Sequence, residues 1–67
     1  MDKKEILRIA EVAIRKRWDS EELHNSDYLY DHYSDGELFD EIWDYVIECE
    51  EIGTTKFYEK YKGELNG

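Results

Sequence analysis

The sequence lacks the residues that interrupt helices or cross-link small domains. It contains no proline, four glycines and one cysteine, Cys49. One cysteine cannot form an internal disulfide, and no Cys/His cluster offers a structural metal site, so aliphatic and aromatic packing must hold the fold. No apolar run approaches the ~20 residues of a membrane span. We therefore expect a cytoplasmic protein that needs no cofactor or metal and has no contact with a membrane.

A second absence concerns charge of one sign. Between Trp18 and Thr55 there is no lysine or arginine, whereas thirteen of the eighteen aspartates and glutamates lie in that segment. The formal charge is +3 for residues 1–17, −13 for residues 18–55 and +1 for residues 56–67. The middle of the chain must therefore present a concentrated negative surface, which favours a cationic partner and opposes direct binding to nucleic acid.

The length and the apolar content predict one small folded domain, residues 1–67. A chain of 67 residues buries only ~60% of the surface that its unfolded form exposes, so its stability is modest. Hydrophobic residues nevertheless make up 40% of the chain and include two Trp, six Tyr and two Phe. That is too much apolar mass for a disordered acidic tail.

Apolar residues recur with helical periodicity and predict an all-α fold, a compact small helical bundle with two long helices and shorter connecting and C-terminal helices. The three main helices are expected at residues 3–18, 37–52 and 55–62. Ile9 is expected at the edge of the apolar face of the first. The predicted core is centred on Leu7, Ile14, Trp18, Phe39, Ile42, Trp43, Val46 and Phe57.

Capping residues predict where these helices begin and end. Ser34 and Glu37 form a capping box that opens the second long helix, and Gly53 and Gly63 are placed to end the second and third helices. Thr54 or Thr55 is the expected N-cap of the third helix. Residues 19–33 predict two short helical pieces, capped by Asp19 or Ser20 and by Ser26.

Six acidic residues share one face of the second long helix and form what we call the acidic ladder. They are Glu37, Asp40, Glu41, Asp44, Glu48 and Glu51. With 3.6 residues per turn they fall within about 100° of arc over ~21 Å, or one carboxylate per ~3.5 Å, which is close to the ~3.4 Å per phosphate of one DNA strand. Each pair of neighbouring like charges costs ~0.2–0.5 kcal/mol. The basic stripe of the first helix, solvent and counter-ions, or a cationic partner must compensate for this repulsion.

Residues 24–33 interleave tyrosine and histidine with aspartate. Tyrosine is common at protein interfaces because it offers a large rigid contact area with a polar tip. We expect two of Tyr28, Tyr30 and Tyr33 to cover the core and Tyr30 to face outward. Asp27, Tyr30 and Asp31 therefore join the acidic ladder as candidate partner-binding residues.

Other chemistries have weaker support in the sequence. Asp31, Asp35 and Gly36 match three positions of an EF-hand loop, but Tyr33 and Ile42 replace two of its ligands. The histidines lack the spacing that places two imidazoles on one metal. Cys49 falls on the inner arc of its helix and is expected to be a small core residue. No set of residues indicates catalysis, so we expect no enzyme.

The acidic ladder with Asp27, Tyr30 and Asp31 gives the chain the character of a known group of proteins. In composition and size it resembles small acidic phage-encoded inhibitors of host nucleic-acid machinery, which include DNA mimics and anti-CRISPR proteins. The resemblance implies a short, cytoplasmic, non-enzymatic protein. Such inhibitors share no common fold, so no site residue is carried over from them.

The leading hypothesis is thus an inhibitor or adaptor that docks its acidic helix on the nucleic-acid-binding surface of a basic partner protein, such as a host nuclease or defence effector. The alternative is a small structural or regulatory helical module whose acidic face is merely solvated. In one form of it, a homodimer, the basic stripe Lys4, Arg8 and Arg15 packs against the acidic ladder of its mate.

Overall fold

The computed structural model describes residues 2–30 and 36–66, and over those residues every regular element is an α-helix. The helices are α1 (Lys3–Lys16), α2 (Ser20–His24), α3 (Asp27–Tyr30), α4 (Gly36–Ile52) and α5 (Thr54–Asn66). The predicted all-α bundle is confirmed, as are the two short helical pieces after α1. The C-terminal helix is longer than expected, with 13 residues against 14 in α1 and 17 in α4.

The ends of α1 follow from two backbone devices. The carboxylate of Asp2 accepts a hydrogen bond of 3.0 Å from the N–H of Glu5 and caps the first turn. Arg17 adopts a left-handed conformation with φ 56°, and the N–H of Trp18 then donates to the carbonyl of Ala13 at 3.0 Å. The helix therefore ends at Lys16, before the predicted Trp18, because the chain must turn to place the Trp18 ring against the core.

Of the predicted caps of α2 and α3, only the first behaves as expected. The Asp19 carboxylate accepts from the N–H of Glu22 at 2.8 Å, so Asp19 is the N-cap of α2. Ser26 precedes α3, but its hydroxyl donates backward to the carbonyl of Leu23 at 2.7 Å. Ser26 is buried, and this bond satisfies a hydroxyl that would otherwise be isolated in the core.

A single residue, Gly53, joins α4 to α5. It has φ 92°, its N–H donates to the carbonyl of Cys49 at 2.8 Å, and its own carbonyl accepts from the N–H of Phe57 at 3.0 Å. Gly53 thus ends one helix and begins the next, as the left-handed conformation allows. The predicted threonine cap is wrong, because Thr54 is already the first residue of α5.

The predicted end of α5 at Gly63 is also wrong. The helix continues to Asn66, and residues beyond Gly63 form contacts that stabilise the additional turn. Glu64 forms an ion pair with Lys3 at 3.4 Å, and Leu65 packs against the core. Since Gly63 has no positive φ, it is an ordinary interior position of the helix.

The core consists of two adjoining clusters. Leu7, Ile42, Val46 and Phe57 are buried as predicted. Ile14, Trp18, Phe39 and Trp43 were predicted at the centre but pack at its margin and are partly buried. Ile9, predicted at the edge of its face, is only 6% exposed, because α1 is covered on a wide face by both long partner helices. The remaining buried apolar residues are Ile6, Ala10, Ala13, Leu23, Leu29, Leu38, Cys49 and Tyr61.

The packing of α4 determines what its outer surface presents. This helix lies mainly against α1 and also contacts α5 and α2. Its buried residues, Leu38, Ile42, Val46 and Cys49, define one face at helical spacing. The acidic ladder therefore lies on the opposite, solvent-facing side.

Candidate partner-binding surface

The acidic ladder is mostly exposed, and among the described residues most of its carboxylates have no ion-pair partner. Glu37, Asp40, Glu41, Asp44 and Glu51 are all exposed. No ion pair joins any of these five carboxylates to another residue within 2–30 or 36–66. The repulsion along this face is therefore left to solvent, counter-ions or a partner.

Glu48 is the exception within the acidic ladder. One of its carboxylate oxygens, Oε1, forms an ion pair with Lys60 of α5, and Oε2 accepts a hydrogen bond of 2.7 Å from the hydroxyl of Tyr61. The hydrogen bond from Lys60, followed by that from Tyr61, lowers the pKa of Glu48 below its ordinary value. Glu48 thus fastens α4 to α5, and its charge is already engaged inside the protein.

An acidic depression lies between Glu48 and two other ladder residues, Glu41 and Asp44. Glu41, Asp44, Tyr45 and Glu48 line this depression, which has a volume of about 290 Å³. The Tyr45 ring is fixed by an edge-to-face contact with Tyr61, with 5.3 Å between ring centroids. Carboxylates beside an aromatic ring suit the head group of an arginine or lysine side chain.

Three of the five basic residues of α1, Lys3, Arg15 and Lys16, are engaged away from the acidic ladder. Arg15 pairs with Glu11 at 3.9 Å, one turn away on the same helix. Lys16 lies over the ring of Trp18, with 5.6 Å between Nζ and the ring centroid. Lys3 pairs with Glu64 at 3.4 Å, so none of these three cations compensates the acidic ladder.

The candidate residues before α4 lie on another helix. Asp27 and Tyr30 are exposed on α3, and the Tyr30 side chain is 68% exposed against 45% for Tyr28. The Tyr28 ring contacts Trp18, with 6.4 Å between centroids, so it covers the core incompletely. Asp31 and Tyr33 lie outside the described residues. The structure therefore gathers the six ladder residues on one face but leaves Asp27 and Tyr30 on a separate element.

The structure describes only some of the residues named for the alternative chemistries. Within residues 2–30 and 36–66, no three His, Cys, Asp or Glu side chains are grouped to hold a metal ion. Asp31, Asp35 and His32 fall outside that range, and the His24 ring packs edge-on against Phe39 at 5.0 Å. Cys49 is 4% exposed, and burial raises the pKa of its thiol, which favours the neutral form over a nucleophilic thiolate.

Sequence reasoning missed an apolar feature beside the acidic ladder. Phe39, Trp43 and Ile47 recur every four residues along α4, and Ile47 is 39% exposed. We call these three residues the apolar strip. The four-residue spacing was visible in the sequence, but Ile47 lies between the inner and outer faces and was assigned to neither.

The described helices show no segment with both the length and the apolar character needed to cross a bilayer. What they present instead is an uninterrupted row of carboxylates with an apolar strip along one side. No family model, curated protein or solved structure matches the chain.

Proposed function

We propose that this protein is a non-enzymatic inhibitor or adaptor that docks the exposed acidic face of α4 on the basic, nucleic-acid-binding surface of a partner protein. The observation that carries the proposal is the set of five exposed carboxylates that form no ion pair with any residue the structure describes. They are Glu37, Asp40, Glu41, Asp44 and Glu51. A chain this small keeps such a repulsive surface at a cost to its stability, and a cationic partner would relieve that cost on binding.

The geometry fits the surface of a protein that binds nucleic acid. The ladder runs along ~21 Å of a rigid helix, which is comparable to the length of six phosphates on one DNA strand. Arginine and lysine side chains that normally meet phosphates would meet carboxylates instead, one of them in the depression formed by Glu41, Asp44 and Tyr45. Since the helix is already formed, little conformational entropy is lost on docking.

A host nuclease or defence effector targeted by a phage-encoded inhibitor, as in anti-CRISPR systems, would be a partner of this kind. The inhibitor would act as a nucleic-acid mimic in the cytoplasm, by occupying the phosphate-binding subsites. Binding would then be governed by electrostatics and lost as salt screens the charges.

The test is capture of partners from a lysate at low and high salt, followed by competition with nucleic acid on the purified partner. The ladder variant carries Asp40→Lys, Glu41→Lys and Asp44→Lys, and the control carries Glu5→Lys, Glu21→Lys and Glu59→Lys. Both change the net charge equally, and all six positions are exposed. We expect the ladder variant alone to lose binding, and DNA or RNA to displace the wild-type protein.

Equal binding by the two variants would show that net charge, rather than the α4 face, drives the interaction. Binding that nucleic acid does not displace would contradict the mimicry. Concentration-dependent self-association abolished by the ladder variant would instead support the homodimer.

A further inference from the structure

The apolar strip on α4 is held in a defined shape. The rings of Phe39 and Trp43 stack with 6.0 Å between centroids and 11° between their planes. The His24 ring of α2 packs edge-on against Phe39. Ile47 extends the strip by one further turn of α4. From Phe39 to Ile47 the strip spans about 12 Å, or two helical turns. A partner would therefore meet a preformed apolar ridge.

A groove lies beside this ridge, between α1 and the C-terminal half of α4. Its volume is about 420 Å³, and Ile14, Trp18 and Val46 line it together with Arg17 and Glu50. Glu50 and Val46 are each three residues from Ile47 or Trp43 on α4, so they adjoin the strip. None of the three strip residues lines the groove, so the strip is a separate surface.

Carboxylates frame the outer side of the strip. Asp40 precedes Trp43 by three residues, and Asp44 and Glu51 lie three and four residues from Ile47, which makes them surface neighbours on the helix. All three carboxylates are exposed and have no ion pair with a described residue. An apolar strip bordered by negative charge is complementary to an apolar stripe bordered by lysine or arginine.

We infer that the apolar strip seats a basic amphipathic helix of the partner, with its apolar stripe on Phe39, Trp43 and Ile47 and its cationic flank against Asp40, Asp44 and Glu51. This rests on the proposed function and names the kind of partner segment. Four-residue spacing on a helix suits packing against a second helix. An added strand is excluded as the main contact, because no sheet edge occurs in the described parts of the chain to pair with its backbone.

A second copy of the chain is a poorer occupant of the strip. Each copy carries a formal charge of −9 and would bring its own acidic border to the interface. The amphipathic helix with the most basic outer face, α1, already buries its apolar residues Ile6, Leu7, Ile9 and Ala10 in the core. Its apolar face is therefore not available to the strip of a mate while the protein is folded.

The experiment uses two synthetic helical peptides that share a leucine stripe and differ in its border, lysine in one and glutamate in the other. Fluorescence anisotropy measures binding, and amide and indole NMR shifts locate it. We expect saturable binding of the lysine peptide, with the largest shifts at Trp43 and Ile47, and binding of the glutamate peptide weaker by at least about tenfold. Ile47→Ser should lower the affinity for the lysine peptide by about tenfold, because the substitution removes an apolar contact residue.

Val12→Ser is the matched control, since it removes a partly exposed aliphatic side chain from α1, outside the strip. Absence of saturable binding, or unchanged binding by Ile47→Ser, would overturn the inference. Suppose that Ile47→Ser leaves binding of the lysine peptide unchanged but the Asp40, Glu41 and Asp44 reversal abolishes it. The proposed function would then survive without this inference. A dimer in sedimentation that Ile47→Ser converts to monomer would assign the strip to a second copy and overturn the inference as well.

Discussion

The hydroxyl of Tyr61 donates a hydrogen bond of 2.7 Å to Oε2 of Glu48, and it links the middle of α5 to the outer side of α4. Lys60 occupies the other carboxylate oxygen and lies 5.2 Å from the Tyr61 ring centroid. One carboxylate thus joins two consecutive residues of α5. This separates Glu48 from the other ladder residues, whose charges face solvent.

The first prediction concerns acid stability. Because the pKa of Glu48 is lowered in the folded state, its stabilising effect is full above the ordinary value of about 4.5 and is lost as the pH falls through the folded-state pKa. Thermal unfolding followed by circular dichroism from neutral to acidic pH should show a steeper loss for the wild type than for Glu48→Gln. Tyr61→Phe should cost about 1 kcal/mol at neutral pH. Parallel curves for the wild type and Glu48→Gln would contradict this role.

The second prediction separates the two kinds of ladder residue. The triple variant Asp40→Lys, Glu41→Lys and Asp44→Lys turns three repulsive pairs, 37/40, 37/41 and 44/48, into attractive ones and should leave stability unchanged or raise it by about 1 kcal/mol. Glu48→Lys should lower stability, because it places a cation beside Lys60 and removes the acceptor of Tyr61. Urea unfolding of both variants measures the difference. A destabilised triple variant would mean that these carboxylates support the fold.

The third prediction contrasts two glycines. A methyl group added at Gly63 meets no atom within 4 Å, and this residue is an interior position of α5, so Gly63→Ala should stabilise the protein by about 0.5–1 kcal/mol. Gly53 also has open space, but its φ of 92° is unfavourable for alanine, and Gly53→Ala should cost about 1–2 kcal/mol. Melting temperatures of the two variants should move in opposite directions.

The fourth prediction compares two isoleucines on α4. Ile42 is fully buried, so Ile42→Ala should cost about 2–5 kcal/mol. Ile47 is 39% exposed, and Ile47→Ser should cost less than about 1 kcal/mol. Chemical denaturation of the two variants provides the measurement. A large loss in Ile47→Ser would indicate that the strip supports the core rather than remaining open to a partner.

Periodicity was sufficient to predict the three main helices and the position of the acidic ladder on the outer face of α4. Apolar spacing reports which side of a helix is inward, but not how deep each residue lies. Trp18 and Trp43 were therefore placed too deep, and Ile9 too shallow. The depth of those residues depends on how widely neighbouring helices cover each face, which is a property of the assembled bundle.

The engagement of Glu48 could not have been predicted from α4 alone. Six acids at similar spacing look equivalent in sequence, and their difference arises because Lys60 and Tyr61 approach from α5 at a distance of twelve and thirteen residues along the chain. The same holds for the end of α5. Gly63 suggests a stop by local rules, whereas the pairing of Glu64 with Lys3 depends on where the start of α1 lies.

The one-residue connection at Gly53 affects how the protein opens. Two helices joined by a single residue stay close even when their mutual contacts break, so the loop entropy lost when α5 docks again is small. Opening of α5 should therefore be brief and should begin at its distal end, near Glu64, rather than at Thr54. In native-state hydrogen exchange, protection along α5 should rise from Leu65 toward Phe57, the fully buried residue closest to the junction.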